Sequence, residues 1–187
     1  MAQRAKADGA PLNMMSYLLY GEWRAKDGEM NSCIAEKSPV YKTECHRCQW
    51  CESWKKHDLG KYGPNYCNSV DYNLVKGFNE DNDLIITQTL SNGSDHCSFE
   101  WVGFDMDDEN EKLFNQKAIE LGNKNVKDFK YHTAHIYFSL SKTLSTILGE
   151  EKAKEISEKA FNEFCEIFSK EHGAAIMELK ETDFNIA

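Results

Sequence analysis

Up to about residue 103 the chain alternates apolar and polar positions in short runs, and from residue 111 onward the spacing lengthens to that of a helix. Residues 84–90 and 97–102 are rich in β-branched and aromatic side chains. Ser91-Asn92-Gly93-Ser94-Asp95 joins them, with Gly and Asn where positive φ is inexpensive. That spacing predicts a β-hairpin. Residues 14–20, 32–35 and, more weakly, 40–43 predict further strands. Between them, 45–57 and 66–76 read as short helices separated by a turn at 60–64.

The acidic run FDMDDENE (104–111) reads as a solvated connection to the helical part. Residues 111–121 form one predicted helix closed by Gly122, and 127–148 a longer one closed by Gly149. A third spans 150–171, with Ala153, Ile156, Ala160, Phe164, Ile167 and Phe168 as its apolar stripe and Gly173 as its stop. The stripe reads as core, not as a ligand box. The expected fold is α+β: an antiparallel sheet of four or five strands packed against helices, with a helical C-terminal half. A single domain spans 1–187, strand-rich over 1–103 and helical over 111–173.

Composition changes this picture little. The 187 residues are 41% hydrophobic and 28% charged, ordinary for a folded domain. A formal charge of −9 without a basic stripe argues against nucleic acid and against anionic membrane surfaces as partners. The first residues lack the apolar core of a secretion signal. Seven cysteines is an odd number, so reduced thiols in a cytoplasmic protein are expected rather than a disulfide framework.

The chemistry concentrates in two blocks, YCNSVDYNLVKGFN (66–79) and TQTLSNGSDHCSFEW (87–101). Together with Arg47, Cys48 and Glu52 upstream, they resemble the signature of the L-2-amino-thiazoline-4-carboxylic acid hydrolase family. The matching residues are Cys67, Asp71, Gly77-Phe78-Asn79, Thr87, Thr89, Leu90, Gly93, Cys97, Phe99 and Trp101, with Glu80 where the family carries Pro. The segment LGEEKAKEISEKAFNEF (148–164) resembles a family helix too, but follows the cysteine blocks where family members place it before them. The order is that of a circular permutation, or else the match is generic helix. The resemblance implies hydrolysis of a cyclic amidine-like C–N bond in a small carboxylate substrate. It also implies a site of Cys48, Cys67, Asp71 and Cys97, with Asn79 and Thr89 positioning these residues or the substrate.

Read for themselves, these residues leave alternatives open. Strand alternation puts Cys97, Phe99 and Trp101 on one face and His96, Ser98 and Glu100 on the other, so His96 is not simply the base for Cys97 while both stay in regular strand. Cys97 is then either a small core residue beside aromatics or a thiol facing a site. Cys67 and Asp71 would meet across one helical turn, where a carboxylate raises a thiol's pKa rather than activating it. Cys45, Cys48 and Cys51, with Cys67, offer a metal-ligand set, although spacing by three along a helix spreads them over about 120°. Asp128, His132 and His135 form a second candidate set on one helix face. A divalent ion (zinc, manganese or iron) and a homo-oligomer are both left open. The alternative to a hydrolase is a non-enzymatic, sensor-like protein that binds a small molecule or metal at a thiol-lined pocket.

Overall fold

The computed structural model describes residues 1–184, and the chain divides into two compact units, Met1–Val126 and Lys127–Ala187. The first unit opens with two short helices, α1 (Ala2–Ala7) and α2 (Met14–Leu19). Strands β1 (Met30–Glu36) and β2 (Tyr41–Cys48) follow, then helices α3 (Gln49–Lys56), α4 (Gly63–Cys67) and α5 (Val70–Phe78). Strands β3 (Asp83–Gln88) and β4 (Cys97–Val102) form the predicted hairpin, and α6 (Asp108–Leu121) comes last. The sheet has four strands in the order β1-β2-β4-β3, every neighbour antiparallel. The fold is therefore α+β.

The core lies between one face of this sheet and the helices. Leu84, Ile86, Phe99 and Trp101 point to that face, meeting Met14, Met15, Tyr17 and Leu19 of α2 and Val75 and Phe78 of α5. The Tyr17 ring stands edge-on to Phe78 with centroids 5.7 Å apart and lies 6.0 Å from Trp101. The Trp101 indole N–H donates to Thr43 Oγ1 at 3.0 Å, so its polar end is satisfied. Each large side chain buried here contributes about 1.5–3 kcal/mol. Phe114, Ala118 and Leu121 of α6 pack on the same cluster.

Several elements differ from the sequence reading. Residues 14–20 are helical, not a strand: Asn13 caps α2, its side-chain oxygen accepting from the Ser16 N–H at 3.0 Å. A short run apolar at nearly every position is ambiguous by periodicity, and here the cap decides. Residues 45–57 are not one helix. Cys45 and Cys48 belong to β2, which pairs with β1 on one side and β4 on the other, and only from Gln49 does the chain turn helical. Residues 66–76 likewise break at Asn68 and Ser69 into α4 and α5. The acidic run is no loose connection, because Asp107 caps α6 by accepting from the Asn110 N–H at 2.9 Å. Asp108, Glu109 and Glu111 then fill its first turn, where negative charge complements the helix dipole.

The second unit contains α7 (Phe129–Leu148), α8 (Glu150–Ile167) and α9 (Lys170–Met177). Ala153 and Ser157 are the buried positions of α8, while Ile167 and Phe168 are about 40% exposed, so the predicted stripe is core only toward its start. Gly173 does not end a helix. It lies inside α9, where a Cβ would fall 2.3 Å from Cys165 Sγ, so it allows α9 to approach α8 closely. Ser169 caps α9 and breaks the predicted 150–171 helix in two. Among the described residues no helix is long and apolar enough to cross a membrane.

Candidate functional site

Cys48 ends β2 and caps α3, and its neighbour Arg47 holds that junction in place. The Arg47 guanidinium makes a two-pronged pair with Glu52, Nε to Oε1 at 2.7 Å and Nη2 to Oε2 at 2.8 Å. Its Nη1 donates to the Gly28 carbonyl at 2.6 Å, tying the start of α3 to the loop before β1. Cys51 follows one turn into α3 and is buried. Cys67 closes α4, and Asp71 opens α5. Cys97 begins β4 directly opposite Cys45 of β2.

These side chains converge. The Cys51 thiol is pushed up by burial first, then by Cys48 and Cys67, with Cys97 also within electrostatic reach. Burial lifts Cys97 to about 11, with Cys45, Cys48 and Cys67 adding to the rise. The Leu90 N–H opposes this, donating to Cys97 Sγ at 3.3 Å. Cys67 is raised chiefly by burial and further by Cys48 and Asp71, against a hydrogen bond from Ser91 that lowers it. Cys45 is raised by burial too. Its Sγ donates to the Arg47 carbonyl at 3.1 Å. Asp71 is largely buried, and burial alone lifts its carboxyl to about 6. The phenols of Tyr17 and Tyr66 feel its charge, and Tyr66 is pushed up to about 12, mostly by burial. Cys48, Cys67 and Cys97 are thus within electrostatic reach of one another, and Asp71 is within reach of Cys45, Cys67, Tyr17 and Tyr66. All seven cysteines of the chain are free thiols.

A sequence profile of the family described as L-2-amino-thiazoline-4-carboxylic acid hydrolase matches residues 1–101, just over half of the chain's 187 residues. The chain belongs to this family. Membership supports a hydrolase-like function in general. The match ends at Trp101, so the helical segment 148–164 lies outside it. Neither a curated protein nor a solved structure matches the chain.

The remaining expected residues fall as follows. Asn79 caps the end of α5, donating from Nδ2 to the Leu12 carbonyl at 2.7 Å and accepting from the Asp81 N–H at 3.2 Å. Thr89 is buried, with its hydroxyl 3.0 Å from Ser91 Oγ, and Ser91 in turn reaches Cys67. Cys45, Cys48, Cys51 and Cys67 are divided among a strand and two helices. Among the described residues they do not bring three ligand atoms within 4.8 Å of one another. In the second set Asp128 caps α7, its carboxylate accepting from the Tyr131 N–H at 2.8 Å, and among the described residues Asp128, His132 and His135 do not bring three ligand atoms within 4.8 Å of one another.

The opposite face of the sheet carries a group that the sequence reading passed over. Glu44 and His46 alternate with Cys45 along β2, Cys33 sits across from Glu44 on β1, and His96 precedes β4. The signal was the i, i+2 spacing of Glu44 and His46, visible only once this stretch is taken as strand.

Proposed function

We propose that the cluster hydrolyses a small, carboxylate-bearing cyclic amidine at its C=N carbon, as the family description suggests for a thiazoline. The observation that carries this reading is the meeting of three family-matched cysteines with a carboxyl raised to about 6. In this reading Cys67 is the nucleophile, and Asp71, whose charge raises the resting thiol, takes the proton only as the sulfur bonds to carbon. The Cys67 sulfur bonds to the amidine carbon, the C=N electron pair moves onto nitrogen, and the thiol proton passes to Asp71. Collapse of the tetrahedral centre expels a ring heteroatom, which takes the proton back from Asp71. One water then cleaves the thiol–carbon adduct and restores Cys67, so the net change is addition of water.

The raised thiol favours base assistance. Taking a proton from a thiol that burial raises to a carboxylate near 6 is uphill, so little free thiolate forms before the sulfur bonds to carbon. A freestanding thiolate is disfavoured here, and an adjacent base makes it unnecessary. Thr89 and Ser91 orient Cys67, while Arg47 and Glu52 fix Cys48 at the head of α3, where backbone N–H groups favour developing negative charge. Cytoplasmic location and a small-molecule substrate fit the same reading.

The test is ring opening of 2-amino-thiazoline-4-carboxylate by wild type, Cys67→Ser and Cys97→Ser, with circular dichroism on each. Loss of activity with native spectra is the expected result. Full activity in both variants ends the cysteine-based reading.

A further inference from the structure

On the outer face of the sheet, away from the family's cysteines, three different ligand types from two strands gather their donor atoms. His46 Nε2 lies 3.0 Å from Glu44 Oε2 and 3.7 Å from Cys33 Sγ, and Cys33 Sγ lies 4.0 Å from the same carboxylate oxygen. Among the described residues this is the group of three such atoms that falls within 4.8 Å of one another. A tetrahedral zinc-class ion bound at ordinary metal–sulfur, metal–nitrogen and metal–oxygen lengths separates its ligand atoms by about 3.4–3.6 Å. The three observed separations bracket that value, so the ion needs side-chain adjustments of about half an ångström or less. We propose that Cys33, Glu44 and His46 form a binding site for a zinc-class divalent cation.

The backbone prepares the site. Cys33 and Glu44 are register partners across β1 and β2, and Glu44 and His46 share a face two residues apart. The mixed set suits a borderline-soft cation: imidazole and thiolate disfavour magnesium and calcium, which take oxygen ligands. Cys33 and His46 are exposed and Glu44 is half-buried, leaving the fourth coordination position open. Three protein ligands and one open position is the arrangement of reactive rather than purely structural zinc. His96 stands beside two of the three ligand residues. Its ring centroid is 5.0 Å from that of His46, its Nε2 is 3.6 Å from Glu44 Oε1, and Gln88 Nε2 holds it at 2.7 Å. Such an outer partner orients the ligand carboxylate or a metal-bound water.

The test is titration of the full chain, purified under reducing and anaerobic conditions, with cobalt(II) as a spectroscopic probe, followed by zinc displacement. Wild type is expected to bind one ion per chain with a near-ultraviolet sulfur-to-cobalt charge-transfer band. Cys33→Ser should lose the band, and His46→Ala should weaken binding by roughly a hundredfold or more. Both positions are exposed, so both variants should melt as wild type does. Cys48→Ser, outside the group of three, should keep the band and the affinity. The proposal is overturned by a band that persists in Cys33→Ser and disappears in Cys48→Ser, or by the absence of stoichiometric binding in wild type. Neither result depends on ring-opening activity.

Discussion

Asp71 sets two properties against each other. Its folded carboxyl holds a proton up to about 6, whereas an unfolded one releases it near 3.8. Between those values the folded state binds more protons, so this group's contribution to stability falls as pH rises through that window. At neutral pH the ionised, buried carboxylate therefore costs stability, by roughly 2 kcal/mol once its partial exposure is allowed for. Asp71→Asn is expected to raise the melting temperature at pH 7.5, and that gain should vanish near pH 4. The same change should lower ring opening by roughly a hundredfold or more, because the proton acceptor is lost. Wild-type kcat/KM should fall as pH drops below about 6, since the base must be ionised; a flat profile from pH 5 to 8 would count against Asp71 in that role. Calorimetry and a pH–rate profile check the two halves separately. Legibility also differs residue by residue. Strand alternation alone separates Cys97 from His96, and the structure keeps them on opposite faces. The raised carboxyl of Asp71 was not legible, because burial comes from the packing of the folded chain, not from local sequence.

The elements that bring the cluster together are short, and their ends do most of the positioning. Arg47 and Glu52 are each nearly half exposed, so solvent screening leaves their pair little weight in stability. Its effect is on the strand-to-helix junction that carries Cys48. Arg47→Lys keeps the charge but loses the two-pronged geometry. It is expected to leave thermal melting within a few degrees of wild type while lowering kcat by roughly tenfold; an unchanged kcat would show that the junction holds without the fork. Gly63 is a second such point. A Cβ there would lie 2.8 Å from the Trp54 ring and 3.3 Å from Ser91 Cβ. Gly63→Ala should destabilise by about 1–3 kcal/mol through overpacking. It should also shift tryptophan fluorescence as Trp54 is displaced. At this scale the sequence was least informative. Cross-strand pairing, to β1 along its length and to β4 at Cys45, made 45–48 a strand against local helical appearance, and that error hid the shared face of Glu44 and His46. Cys67 and Asp71 still meet, but across a helix break rather than along one helix turn.

At the scale of the whole molecule, the family match and the candidate site both lie within the first compact unit, Met1–Val126. The second unit, three helices among the described residues, lies outside the match, and its periodicity was the most readable part of the chain, apart from the break at Ser169. The hairpin and the α+β class were readable too, since alternation and turn composition are local signals. The convergence of three cysteines from separate elements is a product of topology and was visible only through the family resemblance. The central claim is that Cys67 and Asp71 act as one unit on the amidine carbon. The most direct test compares kcat for Cys67→Ser, Asp71→Asn and the double variant on 2-amino-thiazoline-4-carboxylate. Residues that act together lose their effect only once. The double variant is expected to be no slower than the worse single one, with all three folded as wild type. Losses that multiply in the double variant, or a Cys67→Ser enzyme within threefold of wild type, would contradict it.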